Sequence, residues 1–95
     1  MRKIEQQMNN AIANHKAWQG SNTTVAPIDD VNCAVFLYGN HIADVNSDTG
    51  FVMVNLNTLR NWPSMTTRSR LRALGADLVS IKGVLHLNGK SIYSE

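Results

Sequence analysis

The chain has 95 residues, the length of one small domain. Its hydrophobic share of 43% is ordinary for a globular protein, whereas its charged share of 17% is lower than usual. Its single cysteine excludes an internal disulfide, and no apolar run approaches the ~18 residues that a membrane-spanning helix needs. The net charge of +2 is too small to indicate a class of partner by itself. We therefore expect a single domain over residues 1–95, located in the cytoplasm and away from membranes.

The first predicted element is an amphipathic helix over residues 2–19. Its less polar side chains recur at spacings of three and four, which places them on one stripe: Ile4, Met8, Ala11, Ile12, His15 and either Trp18 or Gln19. Gly20 predicts the end of this helix, because glycine readily takes the left-handed conformation that follows a helix.

After Asn22 the hydrophobic period changes from 3.6 to 2, which is typical of strands. Strands are predicted, with turns between them, over residues 23–26, 31–38, 41–46 and 51–56. Pro27 places the first of them near a sheet edge, and Gly39-Asn40 predicts a two-residue hairpin turn. The strand over 31–38 is apolar on both faces, so we expect it to be central in a sheet or to lie under a helix on one face and a partner on the other. The simplest such partner is a second copy in a homodimer.

The C-terminal third predicts a short helix followed by a hairpin. Trp62-Pro63 disfavours helix, so residues 57–65 are expected to be irregular. Thr66 or Thr67 can then cap a helix that buries leucines and ends near Gly75. Two short strands follow, over 79–81 and 84–87, around Lys82-Gly83. The predicted fold is α+β: an antiparallel sheet of about five strands, a meander plus the C-terminal hairpin, with both helices packed on it.

No catalytic or metal-binding motif is visible in the sequence. The three histidines are far apart and have no cysteine or carboxylate at ligand spacing. Cys33 and His41 would be neighbours across the first hairpin, but no third residue is placed to orient the base. The glycines are isolated, so there is no glycine-rich phosphate loop. We therefore expect no enzyme, no metal and no cofactor.

The charge is unevenly distributed along the chain. No Lys or Arg occurs in the forty-three residues 17–59, whereas residues 60–72 carry four arginines and no acid. This segment supplies the candidate binding residues: Arg60, Thr67, Arg68, Ser69, Arg70 and Arg72. Three interpretations stay open: a solvated outer helix face, a surface for an acidic protein, or a set of phosphate contacts from Arg, Ser and Thr.

Several short segments are distinctive in their order. They include the opening Arg2-Lys3-Ile4-Glu5-Gln6-Gln7-Met8, then Ser21-Asn22-Thr23-Thr24-Val25, Tyr38-Gly39-Asn40-His41-Ile42-Ala43 and Thr66-Thr67-Arg68-Ser69-Arg70-Leu71-Arg72. Together they resemble a family of small accessory proteins of tailed bacteriophages. The resemblance implies expression in an infected bacterium, and it carries over no catalytic residues.

The functional hypothesis is a non-enzymatic phage accessory protein that acts by binding in the cytoplasm of the infected host. Its partner would be a host or phage protein with an acidic surface, and its most direct role would be to inhibit or modulate a host or host-defence protein. The alternative is a nucleic-acid-binding protein that uses residues 60–72. A further alternative, a self-assembling structural component, rests on the two-faced strand over 31–38 and the low surface charge.

Overall fold

The computed structural model describes residues 1–93. Three helices and eight strands follow one another in the order α1 Lys3–Ala13, β1 Trp18–Gly20, β2 Thr23–Pro27, β3 Asn32–Leu37, β4 Asn40–Asn46, β5 Val52–Val54, α2 Leu56–Asn61, α3 Met65–Leu74, β6 Leu78–Ile81, β7 Val84–Leu87 and β8 Lys90–Ser91. Strands β1 to β5 form one antiparallel sheet in sequence order, and β6 to β8 form a second, three-stranded antiparallel sheet. The predicted α+β class is confirmed.

The core lies on one face of the five-stranded sheet. Cys33, Val35 and Leu37 of β3 are buried there, while Ala34 and Phe36 lie on the opposite face, as the alternation of the sequence predicts. Side chains from all three helices and from the second sheet complete the same cluster, whose largest fully buried members include Met8, Val25, Ile42, Leu59, Leu71 and Ile92.

The β3–β4 hairpin turns one residue earlier than predicted. Leu37 pairs with Asn40, so the two turn residues are Tyr38 and Gly39. Their φ angles of +51° and +79° match a turn that follows the right-handed twist of the strands. A bulge in the same hairpin leaves Ile42 unpaired, and Ile42 and Ala43 are therefore both buried.

The N-terminal helix is shorter than predicted. Helix α1 ends at Ala13, and His15 adopts φ +53° as the chain turns away. Trp18 does not continue the helical stripe: it begins β1, in which it pairs with Val25, and Gly20 belongs to that strand rather than to a helix end. Residues 18–20 form a strand instead of helix because β2 supplies their backbone hydrogen bonds. The hydrophobic pattern of the N-terminal segment by itself does not show this pairing.

Residues 57–61, expected to be irregular, belong to helix α2, which begins at Leu56, a residue predicted to end the preceding strand. The Asn55 side chain caps it by accepting a hydrogen bond from the Thr58 N–H at 3.1 Å, and the helix ends just before Trp62. Helix α3 is capped by Ser64, whose hydroxyl accepts from the Thr67 N–H at 3.2 Å, rather than by Thr66 or Thr67. It ends at Gly75 with φ +107°, as predicted.

The C-terminal hairpin forms as predicted but does not extend the main sheet. Strands β6 and β7 turn at Lys82-Gly83, and a further turn at Asn88-Gly89 adds β8. Leu78 and Leu85 point into the common core, so the small sheet packs on the main domain with one face. Among residues 1–93, no helix is both long and apolar enough to cross a membrane.

Candidate functional site

The structure divides the predicted arginine surface into buried and exposed parts. Arg70 is only 3% exposed. Its Nη1 lies 2.9 Å from Glu5 Oε2, its Nε donates to Thr23 Oγ1 at 3.1 Å, and its Nη2 donates to Asn22 Oδ1 at 3.4 Å. Ser69 Oγ donates to the same Glu5 oxygen at 2.6 Å. Arg70 and Ser69 therefore join α3 to α1 and to the start of β2, and Arg70 does not face a partner.

The Glu5 carboxylate is held in its charged form. Its burial by itself raises the pKa, but hydrogen bonds from Ser69, Arg70 and the Arg2 N–H, together with attraction to Arg70, outweigh burial and lower the pKa below its ordinary value. Within residues 1–93 every buried side-chain nitrogen and oxygen has a hydrogen-bond partner. A buried pair of this kind is tolerated because its remaining donors and acceptors are satisfied.

Thr67 is also buried, at 4% exposure, and only Arg60, Arg68 and Arg72 of the predicted site residues keep their charge at or near the surface. Arg60 donates from Nε to the Ile92 carbonyl, and Arg72 donates from Nε to the Leu78 carbonyl at 2.8 Å, so both helices are linked to the second sheet. Arg68 is half-buried and has a long contact of 3.5 Å from Nε to the Ser64 carbonyl. With Arg70 neutralised by Glu5, residues 60–72 present three positive charges to solvent instead of four.

A second feature, which we call the aromatic cleft, lies beside the start of α3. It has a volume of about 80 Å³ and lies between the β3–β4 turn and the connection from α2 to α3. Tyr38 and Trp62 line it and are 74% and 55% exposed. The remaining lining residues are Leu37, Asn40, Ile42, Thr58, Ser64 and Thr67. The cleft thus combines an apolar base with two exposed aromatic rings.

The backbone fixes both aromatic residues at the surface. Tyr38 occupies a positive-φ position, uncommon for a bulky side chain, and its N–H donates to the Asn22 carbonyl at 2.8 Å. Trp62 is the C-terminal cap of α2, immediately before Pro63. Met65, 73% exposed, begins α3 next to Ser64, whose carbonyl contacts Arg68. The predicted residues Thr67 and Arg68 therefore adjoin the aromatic cleft, which sequence reasoning missed.

Cys33 is close to His15 and not, as the sequence analysis considered, to His41. Its Sγ lies 3.5 Å from both His15 Nδ1 and Ser47 Oγ. His15 Nε2 lies 2.6 Å from the Asp29 carbonyl, which can only accept, so Nε2 donates there, and Nδ1 lies 2.9 Å from Ser47 Oγ. Cys33 is fully buried, and this arrangement connects the end of α1 to two loops rather than presenting a nucleophile.

His41 is engaged elsewhere, on the outer face of the sheet. Its Nε2 lies 2.7 Å from Asp44 Oδ1, and its ring centroid is 5.2 Å from that of Phe36. Within residues 1–93 no three His, Cys, Asp or Glu side chains come together as a metal-binding group.

Comparison with known proteins bears on the origin of the chain. The family model of the Kyanoviridae Gp96 protein matches residues 1–94. No curated protein and no solved structure matches the chain. Because the family match extends over nearly the whole sequence, the predicted relation to small phage proteins is confirmed, and the chain belongs to the Kyanoviridae Gp96 protein family of cyanophages.

Proposed function

We propose that this phage protein acts by binding another protein through the aromatic cleft and the neighbouring Arg68, as an inhibitor or modulator of a host protein. The observation that carries the proposal is the exposure of Tyr38 and Trp62 on the two sides of one cleft. Protein interfaces concentrate their binding energy in a few aromatic and arginine side chains at well-packed pockets.

The composition and size of the cleft favour a protein ligand. Tyr, Trp and Arg are among the residues enriched at protein interfaces. Here Tyr38 and Trp62 line the cleft, and Arg68 contacts the carbonyl of Ser64, which also lines it. A volume of about 80 Å³ corresponds to two or three water molecules at roughly 30 Å³ each. That is room for one aliphatic side chain of a partner, inserted between the two rings.

The charge around the cleft indicates an acidic partner. Arg68 contacts the carbonyl of Ser64, which lines the cleft, and it is the positive charge nearest to it among the arginines of residues 60–72, since Arg60 donates instead to the Ile92 carbonyl. The acidic residues Asp29 and Asp48 lie in two turns at the other end of the sheet, before β3 and after β4. These two turns are neighbours, because the Ser47 N–H donates to the Val31 carbonyl. The length of β3 separates the two ends by about 20 Å, so the carboxylates do not cancel the positive field at the cleft.

Single-stranded nucleic acid is the competing ligand, because exposed aromatic rings beside cations also stack bases. Burial of Arg70 reduces the cations available for phosphate contact to three. The cleft is also a recess for one side chain, whereas base stacking uses a flat platform. We therefore favour a protein partner and let the experiment below decide.

The single chain is as compact as a monomer of its mass. Its accessible surface of 5632 Å² is close to the ~5,400 Å² that the surface–mass relation gives for a compact monomer of this size. Replacements at exposed residues of the cleft are therefore expected to change binding while leaving the fold unchanged.

The test compares proteins captured from infected host cells by the wild-type chain and by matched variants. Trp62→Ala removes one ring, and Tyr38→Asn removes the other while keeping a residue that tolerates positive φ. Phe51→Ala is the control, because Phe51 is equally exposed at 65% but does not line the cleft. A partner retained by the control should be lost by both cleft variants, with affinity reduced by about 30-fold or more for a residue worth ~2 kcal/mol.

Two results would contradict the proposal. One is an unchanged set of captured proteins for both cleft variants. The other is tight binding of a poly-dT oligonucleotide that is abolished by Trp62→Ala. Its association constant would also fall with salt concentration, with a slope near −2 on a log–log plot, as expected for three single-strand phosphate contacts at ~0.7 each. The second result would assign the cleft to nucleic acid.

A further inference from the structure

A polar recess, which we call the turn recess, lies at the end of the five-stranded sheet where two of its turns meet. Gln19 of β1 and Thr24 of β2 are paired there, on the face of the sheet away from the core. The Tyr38 N–H donates to the Asn22 carbonyl at 2.8 Å and so ties the β3–β4 turn to the β1–β2 turn. The volume of about 470 Å³ is within the ~300–1,000 Å³ of small-molecule sites. The lining residues are Gln19, Ser21, Asn22, Thr24, Tyr38 and Gly39.

The side-chain amide of Asn22 is held in one orientation. Its Oδ1 accepts from Thr23 Oγ1 at 3.0 Å and from Arg70 Nη2 at 3.4 Å. A guanidinium can only donate, so the atom that it contacts is the amide oxygen, and the amide nitrogen is left to donate elsewhere. Because Arg70 is itself held by Glu5 in the buried ion pair, Asn22 brings a positioned donor to the turn recess.

The other polar side chains of the recess keep their hydrogen-bonding groups unused within residues 1–93. The side-chain hydrogen bonds at this end of the sheet are those that link Asn22 to Arg70, directly and through Thr23. Water satisfies the remaining groups in the free chain, and a ligand must replace that water with matching donors and acceptors. A hydroxyl of the ligand is suited to this, because it donates and accepts at once. The groups in question are one amide and three hydroxyls, which belong to Gln19, Ser21, Thr24 and Tyr38.

No charged side chain lines the turn recess within residues 1–93. Arg70 lies behind Asn22, is 3% exposed and is neutralised by Glu5. Phosphate, carboxylate and ammonium groups therefore find no counter-ion among the lining residues, and an unpaired charge loses free energy when it leaves water. The lining thus selects a neutral ligand that is rich in hydroxyl groups.

Tyr38 adds an apolar surface to this polar lining. Its side chain is 74% exposed, and it borders both the turn recess and the aromatic cleft. A tyrosine ring offers a flat apolar face together with a polar hydroxyl at its tip. A sugar ring matches that combination, because its C–H groups form an apolar face and its hydroxyls project from the rim.

We propose that the turn recess binds a neutral sugar, with the sugar ring packed on Tyr38 and its hydroxyls bonded to Gln19, Asn22 and Thr24. The recess shares Tyr38 with the aromatic cleft but none of the other cleft residues. Its occupation therefore does not depend on the function proposed for the cleft. The same chemistry recognises a free monosaccharide and a unit of a longer glycan, and the test distinguishes these two sources.

The test titrates glucose, maltotriose and cellotriose into the ¹⁵N-labelled full chain. We expect saturable binding of at least one of these sugars, with shifts concentrated at the backbone amides of Gln19, Thr24 and Tyr38 and at the side-chain NH₂ of Asn22. Tighter binding of a trisaccharide than of glucose indicates a glycan, and equal binding indicates a free monosaccharide. The affinity should not change with salt concentration, because no charge lines the recess.

Two matched double variants test the hydrogen-bonding groups. Gln19→Met/Thr24→Val removes an amide and a hydroxyl at nearly constant side-chain volume, and it should weaken sugar binding at least tenfold at an unchanged melting temperature. Gln6→Met/Thr66→Val makes the same two changes on α1 and α3, outside the recess, and should bind like wild type. Trp62→Ala, which alters only the aromatic cleft, should also leave sugar binding unchanged, so a failure of the cleft proposal is distinguishable from a failure here.

A modified ligand separates hydrogen bonding from simple ring stacking. The fully O-methylated form of the sugar that binds keeps the ring and loses every hydroxyl donor, so it should bind at least tenfold more weakly. The proposal is overturned by absent saturation with all three sugars, by equal binding of the methylated and free forms, or by shifts confined to the aromatic cleft. Saturable binding of a poly-dT oligonucleotide or of a Ser/Thr-rich peptide, abolished by Gln19→Met/Thr24→Val, would equally overturn it and would assign the recess to that ligand.

Discussion

Replacing Arg70 should destabilise the fold far more than replacing its exposed neighbour Arg68. Arg70→Met removes one half of an ion pair that is almost fully inaccessible and leaves the Glu5 carboxylate buried without its cation. It also removes the hydrogen bond to Thr23, which is itself fully buried. Breaking a buried pair in this way costs about 3–5 kcal/mol, a large part of the ~5–15 kcal/mol by which a small domain is stable.

The expected loss is readily measured by urea denaturation followed by circular dichroism. With an m value of roughly 2 kcal/mol/M, a loss of about 4 kcal/mol lowers the midpoint by about 2 M. The melting temperature should fall by at least about 12 °C, since 1 kcal/mol shifts a domain of this size by roughly 4–8 °C. Arg68→Ala is the control, and it should change stability by no more than about 0.5 kcal/mol.

A double variant distinguishes loss of the pair from loss of packing. If the uncompensated Glu5 charge is the cause, Glu5→Leu combined with Arg70→Met should recover most of the stability lost by Arg70→Met alone, because a buried ion pair is often replaced by apolar residues without cost. Near-equal stability of wild type, Arg70→Met and Glu5→Gln would refute the reasoning, since it would mean that the pair is solvated in solution.

Three further outcomes follow from particular contacts. Ile12→Asp should unfold the chain, because it places a charge in the core at a residue that is 6% exposed; a wild-type melting curve would mean that α1 is peripheral. Gly20→Ala should move the Trp18 indole, because an added Cβ would lie 2.3 Å from Trp18 Cζ2, and Trp18 emission in a Trp62→Phe background reports the change. The pKa of Glu5 is lowered in the folded state. The ionised carboxylate therefore contributes its full share to the free energy of unfolding above the ordinary pKa of about 4.3, and this contribution is lost as pH falls through the lowered pKa. Glu5→Gln should consequently reduce the fall in the free energy of unfolding between neutral and acidic pH. Self-association stays a prediction, and sedimentation that shows only a 10.5 kDa species at high micromolar concentration would contradict it.

The parts of the fold that the sequence predicted are those with local signals. The alternation in β3 and the turns around Ser47–Gly50 and Lys82-Gly83 depend on neighbouring residues, and they form where expected. The end of α1 was wrong because its apolar stripe continues in register as far as Trp18. Only pairing between β1 and β2, which no local pattern shows, removes Trp18 from the helix.

The buried ion pair had a sequence signal that the charge argument overlooked. Glu5 precedes Met8 by three residues, and Arg70 precedes Leu74 by four, so each charge lies on the buried stripe of its helix. One acidic and one basic residue on the inward stripes of two helices predict an ion pair between those helices. The charge argument treated all four arginines of residues 60–72 as one exposed surface. It therefore missed that Arg70 lies on the inward face of its helix, where its side chain is buried.

Burial of Arg70 also decides how binding can be separated from stability. Removing Arg68, Arg70 and Arg72 together would break the Glu5 pair and the Arg72 contact to Leu78, so any loss of activity would be a loss of fold as much as of a partner. Arg68 is only half-buried, and it contacts Ser64, which lines the aromatic cleft. Since the only hydrogen bond of its side chain among residues 1–93 is the long one to the Ser64 carbonyl, Arg68→Ala reports on electrostatic attraction of a partner, and its effect should weaken as salt is added.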